Sequence, residues 1–131
     1  MKKRNIPNDE ILHDLKCMDN ILATTKNWTQ GYWAKISKTR TIGVHVKTKD
    51  ATCFCLQGAA QRCTPGPNVV YSRSQQTEKY LVARLNTIPG NLWSSVMAFN
   101  DSSKTTFRDV KALLKYAIEY RTWELEVKAD A

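Results

Sequence analysis

Apolar residues recur at helical spacing near the start of the chain: Ile11, Leu15, Met18 and Leu22, with Leu12 and Ile21 widening the stripe. That period predicts an amphipathic helix over about residues 9–25. Asn8 offers a capping amide, and Asp9 and Glu10 place acids at the positive end of the dipole. From Arg40 to Thr48 the period changes to two. Ile42, Val44 and Val46 alternate with Thr41, His45 and Lys47, the pattern of a short strand or hairpin arm. Cys55, Leu56, Ala59, Ala60 and Cys63 return to offsets of three and four, predicting a helix within 51–63. Gly58 inside it suits a close helix crossing, and Thr64-Pro65-Gly66-Pro67-Asn68 ends it.

A third helix is expected over 74–85, capped by Ser74 or Thr77 and facing inward through Leu81, Arg84 and Leu85, with Pro89-Gly90 beyond it. Residues 92–99 fit a short helix or an extended segment, and Asn100-Asp101-Ser102-Ser103 reads as a polar loop. Thr106, with Asp109 three residues on, forms a capping box for a helix carrying Val110, Leu113, Leu114, Ala117 and Ile118. Trp123, Leu125 and Val127 fit either a terminal strand or a continued helix.

The expected fold is therefore mainly α: about four helices with one small strand or β-hairpin near residues 40–48, in a single compact domain over 1–131 whose ends, 1–7 and 128–131, fray. Leu15, Met18, Leu22, Cys55, Leu56, Ala59, Leu81, Leu85, Val110, Leu113, Leu114 and Ala117 are the expected core. A chain of this length buries roughly two-thirds of its unfolded surface, enough for such a core. No apolar run approaches the roughly 20 residues that cross a bilayer. Met1-Lys2-Lys3-Arg4 has no apolar stretch behind it, as a signal peptide would. A cytoplasmic location and reduced thiols are the expectation, and the sequons at Asn27 and Asn100 then carry no glycosylation meaning.

Charge changes the picture more than composition does. Apolar and charged contents of 42% and 24% are ordinary, but the net charge is +8. That balance suits nucleic acid or an acidic protein surface as partner, or merely solubility. Lys35, Lys38, Arg40, His45, Lys47 and Lys49, flanked by Trp28, Tyr32 and Trp33, form the main candidate surface. Cations serve phosphates there and aromatic rings serve bases. Arg108, Lys111 and Lys115 run along one face of the last helix, a secondary candidate or simply its solvated side.

Two sets of residues suit other chemistry. Cys53, Cys55 and Cys63 with His45 match zinc ligands in type but not in any usual spacing, and small buried cysteines explain them equally well. Cys53 near a helix start, with His45 or His13 as base and Asn100 or Asp101 as orienting group, would make a nucleophilic site. Asn100 and Asp101 equally suit loop caps. The sequence has no Gly-rich phosphate loop, no Gly-x-Ser-x-Gly elbow and no His-Glu-x-x-His, which leaves enzymatic activity open but disfavoured. No cofactor or resident metal is expected.

Trp28-Thr29-Gln30-Gly31, Cys55-Leu56-Gln57-Gly58-Ala59-Ala60, Phe99-Asn100-Asp101 and Lys104-Thr105-Thr106-Phe107-Arg108-Asp109-Val110 occur in this order. The set resembles a family of small uncharacterised proteins of bacteria and their phages. Phe99 and Lys104 depart from the Trp and Arg expected of it; a Lys would make a weaker anion clamp. The resemblance implies a compact helical domain in a phage or bacterial setting, without an assigned reaction. The leading expectation is a small basic binding protein, such as a phage or mobile-element factor that inhibits a host defence or nucleic-acid-handling system. The alternatives are a small enzyme around Asn100 and Asp101 and, more weakly, a structural zinc domain.

Overall fold

The computed structural model describes residues 8–130. Among them are α1 (Glu10–Ile21), β1 (Ala34–Lys35), β2 (Cys53–Phe54), α2 (Leu56–Arg62), α3 (Tyr71–Leu85), α4 (Val96–Asp101) and α5 (Phe107–Ala129), with a 3-10 turn at Thr25–Asn27. The architecture is mainly α with one small antiparallel sheet, as the sequence predicts. The frayed ends expected at 1–7 and 131 lie outside the described residues, while helical backbone continues through 128 and 129.

Local chemistry explains the helix starts. Asp9 caps α1 rather than Asn8: its Oδ2 accepts from the Leu12 N–H at 2.8 Å. The same carboxylate takes two hydrogen bonds from Arg121 of α5, at 2.6 and 2.9 Å. One side chain thus caps the first helix and anchors the last. The predicted capping box of α5 is present, with Asp109 N–H on Thr106 Oγ1 and Thr106 N–H on Asp109 Oδ2. The ambiguous tail is a continued helix. Neither Ser74 nor Thr77 caps α3, which begins after Val70; both are buried within it.

Every expected core residue is buried. α1 packs on α5, α2 and α3, α5 also packs on α3, and α4 packs on α2 and α3. Asp14 of α1 is fully buried. Arg73 of α3 grips it in a two-pronged pair at 2.7 and 2.8 Å. Cys17 of α1 is disulfide-bonded to Cys63, the residue that closes α2. This corrects the expectation that all thiols are reduced: the α1–α2 packing brings together two cysteines 46 positions apart.

The sheet lies elsewhere than expected. Residues 40–48 form turns and loop, with Ile42 76% exposed. Their alternation finds no partner strand: the segment meets β1 through the single bond from Val44 N–H to Ala34 O. The strands that pair are two residues each, Ala34 opposite Phe54 and Lys35 opposite Cys53. The helix expected within 51–63 starts only at Leu56, because β2 occupies its first turn. Gly58 is required by the backbone ahead of β1, not by a helix crossing. A Cβ there would lie 1.8 Å from Trp33 O.

Candidate functional site

Between α1 and α2 the chain builds a lobe around the β1–β2 pair. Thr29 N–H bonds Phe54 O, Thr52 N–H bonds Lys35 O, and Cys55 N–H bonds Trp33 O. From Asn20 to Lys49 the sequence holds six cations (Lys26, Lys35, Lys38, Arg40, Lys47 and Lys49) and no carboxylate.

The structure draws Trp28, Tyr32, Lys35 and Lys38 of the predicted surface together. Lys35 is buried. Its ammonium lies 4.8 Å from the Tyr32 ring centre and donates to Lys38 O. Lys38 is exposed, with its ammonium 5.7 Å from the Trp28 ring and donating to Thr25 O. Lys47 reaches inward to Arg62 O and Thr64 O, and burial beside Arg62 holds its pKa below the ordinary lysine value. Arg62 in turn donates to Val46 O and Thr48 O. Carbonyl oxygens therefore position these cations without neutralising them. Among the described residues no ion pair joins a lobe cation to a carboxylate, whereas Arg73, Lys111 and Arg121 outside the lobe are all paired with carboxylates.

Lys26, Arg40 and Lys49 are exposed, as are Trp33 and His45. The His45 imidazole accepts from the Lys47 N–H through Nδ1. Trp28 is buried, so its indole supports the lobe from below rather than offering a face for stacking. Lys26 was not singled out by its neighbours in sequence; the absence of any acid from Asn20 to Lys49 was the available signal.

Asn100 sits in the last turn of α4, not in a loop, and is fully buried. Its Oδ1 accepts from Trp28 Nε1 at 2.7 Å and from Leu56 N–H at 3.0 Å. Its Nδ2 donates to Thr29 O and to Asp101 Oδ1. Asp101 Oδ1 also takes the Gly31 N–H, and Gln30 Nε2 donates to Asn100 O and Ser102 O. This network fastens the aromatic turn onto α4 and onto the start of α2. Every hydrogen-bonding position of the Asn100 amide is used inside the protein, which suits a staple.

The thiols are held separately. Cys53 is buried and donates to Lys26 O at 2.9 Å. Cys55 caps α2, accepting from Gly58 N–H at 3.2 Å; burial pushes its pKa up to about 11, away from thiolate chemistry. Cys63 is committed to the disulfide. Among the described residues no three His, Cys, Asp or Glu side chains gather to hold a metal. His13 is beside Asp14 and Arg73, on the α1–α3 side. On α5, Arg108 and Lys115 are exposed and flank Lys111, which pairs with Asp19 at 2.5 Å.

A family model described as a family of unknown function, DUF6197, matches residues 7–120. The chain belongs to this family. The match spans α1 through most of α5 and takes in the whole cationic lobe together with the Asn100 network. No curated protein and no solved structure matches the chain. No described helix is long and apolar enough to cross a membrane.

Proposed function

We propose that this member of the DUF6197 family is a non-catalytic binding protein whose lobe engages a phosphate-bearing polyanion, nucleic acid before an acidic protein surface. One observation carries the reading: residues 20–49 hold six cations and no carboxylate, and among the described residues no ion pair joins any of them to a carboxylate. Such a surface attracts anions at long range. The exposed cations Lys26, Lys38, Arg40 and Lys49 make the contacts, whereas Lys35, which is buried, and Lys47, which is half-buried, hold the lobe through backbone carbonyls. The exposed Trp33 ring, one residue ahead of β1, favours single strands, whose unpaired bases stack on aromatic faces. The setting we propose is that of a phage or mobile-element factor that acts by occupying a host nucleic-acid-handling or defence component.

The test is fluorescence anisotropy with labelled single-stranded DNA, duplex DNA and polyglutamate. The triple variant Lys26→Glu, Lys38→Glu, Arg40→Glu should weaken DNA binding by tenfold or more while keeping the wild-type thermal midpoint. Preference for polyglutamate would move the partner to an acidic protein. Unchanged DNA binding by the variant would sink the reading.

A further inference from the structure

A second site is a cleft of about 590 Å³ between the end of α3, the 86–95 loop and the first turns of α5. Its volume falls in the range of small-molecule sites. Leu85, Phe99 and Leu113 are its buried apolar floor, and Trp93 and Tyr116 are half-buried walls.

The walls are fixed without a ligand. Asn86 grips the Trp93 backbone from both sides, its Oδ1 accepting from the N–H at 2.8 Å and its Nδ2 donating to the carbonyl at 2.9 Å. The Trp93 ring meets Phe99 edge-on at 5.5 Å, and the Tyr116 hydroxyl bonds Thr87 at 3.0 Å. Two aromatic rings lining one apolar cleft suit a flat apolar body.

The polar rim is asymmetric. Asp109 faces the cleft, but its carboxylate is engaged by the Thr106 N–H as part of the α5 capping box. Lys104 also lines the cleft; it is exposed, and among the described residues its ammonium has no carboxylate, carbonyl or ring partner. We infer that this cleft binds a planar aromatic anion, its ring between Trp93 and Tyr116 and its acidic group on Lys104. The inference is independent of the lobe, and its failure leaves the polyanion reading untouched.

Anilinonaphthalene sulfonate and its uncharged analogue phenylnaphthylamine are the probes, titrated into the full chain. Saturable one-site fluorescence enhancement is expected for the sulfonate. Ala112→Trp, an exposed lining position that the fold can enlarge, should reduce binding of both probes at least tenfold with the thermal midpoint retained. Lys104→Gln should weaken the sulfonate about tenfold and the neutral probe less than twofold. Absence of saturable binding, or full binding by folded Ala112→Trp, would overturn the site. Equal loss of both probes in Lys104→Gln would overturn the anionic assignment.

Discussion

Asn100 joins three segments that are far apart in sequence, serving the Trp28 indole, the Leu56 N–H and the Thr29 carbonyl with one buried amide. Asn100→Ala leaves these groups without partners inside the protein, at about 1–3 kcal/mol each before relaxation. Chemical denaturation of the variant should show a loss of about 4 kcal/mol. Nothing in Phe99-Asn100-Asp101 announces this, because a polar pair ending an apolar run fits a solvated loop equally well; the indole that decides it is 72 positions away. Gly58→Ala should cost on the order of 3 kcal/mol, since the close neighbour is the Trp33 backbone carbonyl, not a side chain able to swing aside. Burial raises the Glu78 carboxyl pKa to about 7, against an opposing hydrogen bond from Gln57. The native state then holds a proton that the unfolded chain releases near pH 4.5, so this group's contribution falls as pH rises from there through 7. Glu78→Gln should raise the thermal midpoint relative to wild type at pH 8 and change it little at pH 4.5.

At the scale of elements, the Cys17–Cys63 bond ties α1 to the end of α2. The chain-entropy account of such a cross-link gives about 2–4 kcal/mol. Thiol titration in denaturant should find two reactive groups, Cys53 and Cys55, before reduction and four after it. Reductant should also lower the thermal midpoint; four thiols without reduction would contradict the bond. Helix α5 was legible because its signal is local: Thr106, Asp109 and the apolar stripe lie within a few turns. The sheet was not legible, since two-residue strands are too short to alternate, and the segment that does alternate, 40–48, lacks a partner. The disulfide was equally hidden, as it depends on how two helices pack.

For the whole molecule, the decisive property is where charge is compensated. Carboxylates at the cap of α1 and along it pair with Arg73, Lys111 and Arg121, while among the described residues no lobe cation is paired with a carboxylate. The sequence pointed to the basic stretch, but not to the division of labour within it. Lys35 and Lys47 hold the lobe together, and Lys26, outside that stretch, joins Lys38, Arg40 and Lys49 at its surface. That division required knowing which carbonyls each ammonium reaches. The most direct test is the affinity of wild-type protein for a single-stranded oligonucleotide across a salt series. Four phosphate contacts predict a slope of log affinity against log salt of about −3. A slope near zero, or no binding even at low salt, would contradict the account.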